Sequence, residues 1–314
     1  MTRYILKRIL ALIPVMLVVA FIVFVLMRLL PGNPAAMMLG PEATTEEIQR
    51  LAEDMGLNAP IPVQMVDWFG SIIRGDLGDS IFMRMPVSQA VFNHLEATVL
   101  LTSLALTMSV VLGIVAGVIA AARHNGIIDQ IIMFLSSLGV AVPNFWLALM
   151  LVLVIALPIA YFPVAGYEPI ANVGLFGSLR YLLLPAFALG AGQAAIIARM
   201  TRANMLEVLQ NDYIRTAKAK GVAGHVVIFK HALKNAIIPT ITVIGLCFAN
   251  LMGGAVVTEQ IFSIPGIGRL LITSVFRRDY PLISGIVLYV AAAYVIINLL
   301  IDIIYVKFDP RIKL

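Results

Sequence analysis

The chain has 314 residues, of which 61% are hydrophobic and only 12% are charged, and its mean hydropathy is +0.98. Soluble domains contain about 45–50% apolar and about 25% charged residues, so this composition excludes a soluble enzyme as well as a disordered chain. The single cysteine, Cys247, excludes a disulfide framework and a cysteine metal cluster. The net charge of +5 arises from basic residues on short segments between apolar runs, which indicates membrane topology rather than nucleic-acid binding.

Six apolar stretches have roughly the 20 residues that a helix needs to cross a hydrocarbon core. They are rich in Ala, Val, Leu and Ile without alternation at period two, which favours helices. The first stretch lacks a small-residue cleavage site after it, so we expect a retained helix rather than a signal peptide. The sequence predicts an all-α membrane protein with six transmembrane helices at about residues 9–30, 98–122, 131–157, 181–198, 236–258 and 283–306.

The distribution of Lys and Arg predicts the orientation of these helices. Most basic residues lie on segments that face the cytoplasm if the N-terminus is inside, so we expect a multi-pass inner-membrane protein with both termini cytoplasmic. The predicted parts are an N-terminal segment with the first helix at 1–30, an extracytoplasmic cap loop at 31–97, a five-helix core at 98–306 with a cytoplasmic loop at 199–235, and a cytoplasmic tail at 307–314.

The loop at 31–97 contains helix signals of its own. Thr44 and Glu47 form a capping box, and Gly56 is a suitable stop for the helix between them. Pro62 can open a second helix, which Gly75 ends. The loop is therefore expected to be a small ordered cap. It serves either as a solvated lid without specific chemistry or as a docking surface for an extracytoplasmic partner.

The loop at 199–235 contains NDYIRTAKAKG, residues 211–221. Residues 212–220 favour a helix, but the stretch is too charged to cross the bilayer and is expected to lie along the membrane surface. Gly221 permits a sharp exit toward the next span. Considered alone, this segment is an interfacial amphipathic helix.

A few residues within or beside the spans carry expectations of their own. Asp302 is an acid well inside the last span, four residues from Asn298 on the same helix face. We expect a structural hydrogen bond to a neighbouring helix, with a coupling or proton role as the alternative. Glu259 is expected to reach the interface from an outer helix end. Gly113 and Gly117 form a G-x-x-x-G pattern that admits close helix contacts.

Several motifs, taken together and in order, resemble one family. They are GDLGDS at 75–80, MTRANMLEVL at 200–209, RTAKAKG at 215–221, HALKNAIIP at 231–239, FSIPGIGRLL at 262–271 and RRDYPLI at 277–283. The chain resembles the membrane-spanning permease subunits of binding-protein-dependent ABC importers of the dipeptide, oligopeptide and nickel class, over essentially its whole length. The family's general motif E-A-A-x3-G matches only at Ala217 and Gly221, and its later proline is shifted to Pro239.

This resemblance implies a type I importer permease fold and a chain that couples to separate ATPase subunits without being an enzyme. The surface helix docks into a cleft of a nucleotide-binding subunit, with Ala217 facing the packed groove. The implied coupling residues are Asp212, Tyr213, Arg215, Thr216, Ala217, Lys218, Lys220 and Gly221. A structural or gating role is expected for Pro239, Asn298 and Asp302.

The same resemblance implies the partners and cofactors. They are a second homologous permease, two ATPase subunits that bind ATP and Mg, an extracytoplasmic substrate-binding protein and the lipid bilayer; this chain itself binds no cofactor, metal or nucleic acid. Because the sequence contains no Gly-Lys pair, it has no phosphate-binding loop. Short peptides are the expected substrates, with nickel chelates, metallophores or glutathione as alternatives. An ion-coupled secondary carrier is a remoter alternative, for which Asp302 is the only support.

Overall fold

The computed structural model describes residues 2–29, 34–40, 42–54 and 56–308, with side chains described at residue 10 and within 13–29, 35–36, 39–40, 42–53 and 56–299. The helices of the first third are α1 (Thr2–Leu29), α2 (Pro34–Leu39), α3 (Thr45–Asp54), α4 (Ile61–Ile73) and α5 (Val87–Ala122). Those that follow are α6 (Ile127–Ala141), α7 (Asn144–Leu151), α8 (Ile170–Leu209), α9 (Asp212–Ala219), α10 (Gly224–Val226), α11 (Leu233–Ile261), α12 (Ile267–Arg277) and α13 (Tyr280–Phe308). A π-helical turn, Val152–Ala156, extends α7, and a second one, Val227–Ala232, precedes α11.

The all-α fold class is confirmed. Four helical segments are long and apolar enough to cross a membrane, namely Val87–Ala122, Ile170–Leu209, Gly224–Ile261 and Tyr280–Leu299. The apolar part of α1, Ile13–Leu29, is shorter. The spans predicted at 98–122, 181–198 and 236–258 lie within longer helices. Much of the predicted loop at 199–235 is therefore helical, because α8 continues to Leu209 and the next long helical segment starts at Gly224.

The third predicted span is not one continuous helix. The axes of α6 and α7 meet at an angle of 104°. The two helices together are long and apolar enough for one broken span, and neither is long enough alone. The cause of the break is Pro143: Val142 before it adopts an extended conformation with φ −78° and ψ 123°, as expected because the proline ring disfavours the α conformation at the preceding residue. The sequence predicts a single span at 131–157, and the structure shows a complete break in the helix.

The chain divides into two compact units; among the described residues, one contains those up to Leu95 together with 270–299, and the other contains Glu96–Arg269 together with 300–308. In the first unit, the predicted capping box is present at α3. The Thr44 N–H donates to Glu47 Oε2 at 2.8 Å, and the Glu47 N–H donates to Thr44 Oγ1 at 3.3 Å. The Thr44 N–H and then the Thr44 hydroxyl, which both donate to the Glu47 carboxylate, lower the pKa of Glu47. Gly56 has a φ of 67° and Gly75 a φ of 80°, which confirms both predicted helix ends.

The second unit is built around α8, which packs against α6, α7 and α11. Its apolar core includes the fully buried Leu101, Leu182, Leu189 and Leu251. α5 approaches α8 through glycines: a Cβ on Gly117 would lie 2.6 Å from the Ala198 carbonyl oxygen, and one on Gly113 would lie 2.8 Å from that of Ala194. In return, a Cβ on Gly190 would lie 2.8 Å from the Ala105 carbonyl oxygen. The close contact predicted from G-x-x-x-G is therefore present within the chain.

Candidate coupling surface

The predicted surface helix is α9, and a glycine ends it. Helical residues run from Asp212 to Ala219, and Gly221 follows with a φ of 77°. The Gly221 N–H donates to the Lys218 carbonyl at 3.0 Å and the Val222 N–H to the Ala217 carbonyl at 3.2 Å. This pair of bonds is a Schellman motif, in which a left-handed residue terminates the helix. A Cβ on Gly221 would meet no atom within 4 Å, so backbone conformation rather than space requires the glycine.

The inner face of α9 rests on the chain's own core. Ile214 is fully buried in a cluster with side chains of α5, α8, the π turn and α11, and Ala217 packs partly buried against the same cluster. Ala217 is one turn beyond Ile214, so it shares the face that this isoleucine anchors. The cluster consists of Val118, Ala121, Met205, Ile214, Val227, Ala232 and Ala236. Ala217 thus lies on the inner face, which differs from the expectation that it faces a groove in a partner.

The outer face of α9 is polar and exposed. Asp212, Arg215, Thr216, Lys218 and Lys220 are all exposed. Asp212 begins the helix and Lys218 lies in its last turn, which matches the helix dipole at both ends.

Tyr213 lies at the edge of this face, 42% exposed, and its hydroxyl accepts a hydrogen bond from Asn235 Nδ2 at 2.9 Å. An aromatic ring held by a hydrogen bond beside basic residues is suited to binding a protein groove with acidic edges. No observation tests the docking role of these residues, which stays a prediction.

A buried ion pair joins α6 to α8 two turns before α8 ends. Asp129 is 2% exposed, and its Oδ1 and Oδ2 accept bonds from Arg202 Nε at 2.6 Å and Arg202 Nη2 at 2.7 Å. The Asn125 N–H donates to Asp129 Oδ2 at 3.0 Å, and His124 lies 3.5 Å from the same oxygen. A two-pronged pair of this kind fixes orientation as well as distance.

Glu259 is fully buried, contrary to the expectation that it reaches the interface. Its Oε1 accepts the Thr98 hydroxyl at 2.6 Å, and its Oε2 accepts the Arg269 N–H at 2.9 Å. The Thr98 oxygen in turn accepts the Ile267 N–H at 2.8 Å. The carboxylate and hydroxyl together satisfy backbone donors in the first turn of α12, which otherwise have no partner within the helix. These hydrogen bonds fix the FSIPGIGRLL segment against α5 and the end of α11. No pattern in the sequence predicts them.

The buried carboxylate of Asp279 connects two of the motifs that carried the resemblance. Asp279 Oδ2 accepts the Ser80 hydroxyl at 2.6 Å and the Phe82 N–H at 3.0 Å, while its Oδ1 accepts the Leu282 N–H at 3.2 Å. GDLGDS is thereby tied to RRDYPLI. Asp279 is also the N-cap of α13, and an aspartate just before a helix that has proline in its first turn is a sequence signal that could have located it.

The carboxylate of Glu96 holds the start of α8. Glu96 Oε1 accepts the Tyr167 hydroxyl at 2.5 Å and the Ile170 N–H at 2.8 Å. Partial desolvation of Tyr167 and then its bond to Glu96 raise the pKa of the phenol. Three acidic side chains therefore cap the beginnings of α8, α12 and α13.

The remaining predicted residues are spread over the chain. Pro239 is exposed within α11, and Asn298 is half-buried on α13. The side chain of Asp302 lies outside the described residues, so its predicted roles stay predictions. Within the part of the chain that the structure describes, no three His, Cys, Asp or Glu side chains are grouped so that they could hold a metal ion.

Two protein families match the sequence. The family described as "Binding-protein-dependent transport system inner membrane component" matches residues 113–314. The family described as the N-terminal part of such membrane components matches residues 1–110. The two matches together cover almost the whole chain.

Curated relatives match over their full length. A putative peptide transport system permease protein of Brucella abortus (strain 2308) is 44% identical over 313 residues, covering 100% of this chain and 99% of the relative. The glutathione transport system permease protein GsiC of Pectobacterium atrosepticum is 39% identical over 313 residues, with the same coverage of both chains.

A solved structure of the MetNI methionine ABC transporter in an inward-facing conformation has a similar fold. One of its chains superposes with a TM-score of 0.59 at 15% identity, covering 70% of this chain and 97% of that one. This likeness supports the type I permease fold, and the family and relative matches identify the subunit. The chain belongs to the inner-membrane permease components of binding-protein-dependent ABC transport systems.

Proposed function

We propose that this permease carries short peptides across the membrane as one of two homologous permease chains in an ATP-driven importer. The names of its relatives support the substrate class. An extracytoplasmic binding protein delivers the peptide, and two ATPase subunits, which hold ATP and Mg, drive the cycle. The chain hydrolyses nothing itself, as the missing Gly-Lys pair suggests. Its termini lie in the cytoplasm with α9.

The proposal rests on the difference between the two faces of α9, one apolar and buried and the other polar and exposed. Ile214 seats the helix in a cluster that includes residues of α5, α8 and α11, while Thr216 and the basic residues stay exposed on the other side. A helix that only rests on lipid would present an apolar face to the bilayer. Here the apolar face is buried within the chain, and the exposed face is polar. That arrangement fits a protein partner, so we assign α9 to docking on an ATPase subunit.

The decisive variant is Thr216→Arg. A bulky charge in the middle of the exposed face costs about 2–5 kcal/mol if that face is desolvated against a protein, and a loss of about 3 kcal/mol weakens docking roughly a hundredfold. We expect the ATPase subunits to fail to co-purify and peptide uptake to be lost. If α9 only met anionic lipid, the added positive charge would be tolerated or favourable.

Gln210→Arg is the matched control, because it adds the same charge at an exposed position just outside α9. This variant should assemble and transport normally. Normal co-purification and normal uptake in the Thr216→Arg variant would remove the docking role from α9.

Glutathione or a metal chelate is the second candidate substrate. The GsiC relative favours glutathione, which is itself a tripeptide, and the class resemblance includes nickel chelates and metallophores. Uptake by a deletion strain complemented with this chain and its partners distinguishes them. Di- and tripeptides should be taken up and should compete with one another. Uptake of only glutathione, or only chelated nickel, would contradict the broader peptide assignment.

A further inference from the structure

α4 is an apolar helix that the protein does not bury. Its 13 residues, Ile61–Ile73, include a single charged side chain, Asp67, and none of the 13 is buried. Its length is about 20 Å, whereas the hydrocarbon core of a bilayer is about 30 Å thick. α4 therefore cannot span the membrane, yet its composition is unsuited to water.

The exposed face of α4 is apolar. Val66 is 66% exposed and Ile73, two turns later, is 82% exposed. Gly70 lies between them on the same face, and Val63 extends that face by a turn toward the N-terminus. The exposed surface of the helix thus carries mostly aliphatic side chains, with Asp67 at its edge as the one charged residue.

Polar residues form a separate edge. They follow one another at helical spacing as Gln64, Asp67 and Ser71. Gln64 Nε2 donates to the carbonyl oxygens of Leu57 and Ala59 at 2.8 and 2.6 Å, which fixes the turn that enters the helix. The third side of α4 is half-buried and includes Trp68. A helix with one apolar exposed side and one narrow polar edge has the pattern of a segment lying in a membrane interface.

The contact between α4 and α1 places α4 near the Leu29 end of α1. The rings of Trp68 and Phe24 are 5.6 Å apart between centroids, and Arg28 lies 5.1 Å from the Phe24 ring. Phe24 is five residues before the end of α1, which places α4 about 7 Å along the helix axis from that end. Interfacial helices bury their apolar face about 5–10 Å into the boundary between headgroups and acyl chains.

We propose that α4 lies in the membrane interface at the Leu29 end of α1, with Val63, Val66 and Ile73 in contact with lipid acyl chains and Asp67 toward the headgroups. The occupant of this face is lipid because α4 packs on α1 through Trp68 and Phe24, where α1 itself exposes apolar side chains. Phe21, Ile22 and Leu26 are each 50% exposed on the same stretch of the span. A helix that lies flat here supports the end of α1 from the side.

Quenching of tryptophan fluorescence by brominated lipid tests the proposal. Trp68 and Trp146, the two native tryptophans, are replaced by Phe, and Val66→Trp supplies the reporter. The full chain is reconstituted into phosphatidylcholine vesicles brominated either near the headgroup end or near the methyl end of the acyl chain. We expect quenching to be about twofold stronger or more with the shallow bromines than with the deep ones. Acrylamide in the water should quench weakly.

Asp67→Trp in the same background is the matched control, one residue along on the polar edge. We expect acrylamide in the water to quench this reporter strongly and both brominated lipids to quench it weakly. Ile73→Trp repeats the test on the apolar face if the Val66→Trp chain does not fold, as judged by gel filtration in detergent.

Three results would overturn the proposal. One is equal quenching of the two reporters, with strong acrylamide quenching of both, because the face then meets water. Another is stronger quenching by the deep bromines, because α4 then inserts into the core. The last is a loss of bromine quenching when the whole transporter, rather than the chain alone, is reconstituted, because a protein subunit then covers the face. The fluorescence of the same transporter without the reporter is subtracted in this measurement.

Discussion

At the scale of single residues, Gly221 shows how one backbone conformation defines the end of α9. Its φ of 77° lies in the left-handed region, and the Schellman bonds to Lys218 and Ala217 depend on that conformation. For an L-residue with a Cβ, the left-handed conformation costs roughly 1–2 kcal/mol. Because no atom surrounds the position, this conformational term acts alone.

We expect Gly221→Val to reduce transport strongly and Gly221→Asn to reduce it less, since asparagine tolerates the left-handed conformation. The measurement is peptide uptake normalised to the amount of inserted chain. Gly224→Ala is the control, because Gly224 has open space around it but no positive φ. Equal activity of the Val and Asn variants would show that the turn does not need this conformation.

Thr98 is a second residue whose contribution to stability follows from its contacts. It donates to Glu259 and accepts from the Ile267 N–H, and all three groups are buried. Thr98→Val keeps the shape of the side chain but leaves a carboxylate oxygen and a backbone N–H unpaired. We expect the free energy of unfolding to fall by about 1–3 kcal/mol.

Thermal unfolding of the purified chain in detergent measures this loss. Thr98→Ser keeps the hydroxyl and should cost clearly less than the valine variant. If the two variants unfolded at the same temperature, the loss would come from packing rather than from the hydrogen bonds.

At the scale of elements, the Asp129–Arg202 pair determines how α6 is attached to α8. The two bonds between them form below the surface, since the side chain of Asp129 is 3% exposed and that of Arg202 is 23% exposed. Removing Arg202 leaves Asp129 buried without its charge partner, and removing Asp129 leaves the half-buried Arg202 without one; both losses are destabilising. The pair is thus a fixed point between α6 and the part of α8 that leads to α9.

A double-mutant cycle with Asp129→Ala and Arg202→Ala should give a coupling energy of about 1–3 kcal/mol from thermal unfolding. Each single variant should be destabilised almost as much as the double variant. Arg199→Ala, at an exposed position three residues earlier on α8, should have little effect. Additive single effects would show that the two side chains do not act as a pair.

The elements themselves could be predicted in large part from the sequence, because apolar length, capping residues and glycine stops are local properties. α3 begins at its capping box, α9 lies within one residue of its expected bounds, and Gly75 follows α4 as expected. The break at Pro143 is the main difference, because the sequence shows a proline but not the angle that packing then sets.

Contacts between distant residues could not be predicted. Glu259 and Thr98 are 161 positions apart, and Ser80 and Asp279 are 199 apart. No local pattern in the sequence connects the members of either pair. The inner position of Ala217 depends in the same way on Ile214 entering a cluster made by four other segments.

At the scale of the whole molecule, the predicted orientation assigns α4 and α9 to opposite sides of the membrane. Asp67 and Lys218 are both exposed, so a cysteine at either position is accessible to a reagent on its own side. Cys247 is only 2% exposed and is replaced by Ser in the background.

A membrane-impermeant maleimide added to intact cells should label Asp67→Cys and leave Lys218→Cys unlabelled until the cells are permeabilised. Labelling of both after permeabilisation is the control for accessibility. If Lys218→Cys reacted in intact cells, the orientation derived from the basic residues would be inverted.

The glycine contacts between α5 and α8 limit how the sequence can diverge. A larger side chain can usually be accommodated when a second mutation makes a neighbouring side chain smaller. At Gly117 and Gly190 the nearest groups include the carbonyl oxygens of Ala198 and Ala105, which no substitution can shorten. A change at either glycine must therefore move a whole helix axis, whereas exposed residues such as Thr216 can change singly. Descendants of this chain can acquire new surfaces by single steps, but they must inherit the spacing of these two helices unchanged.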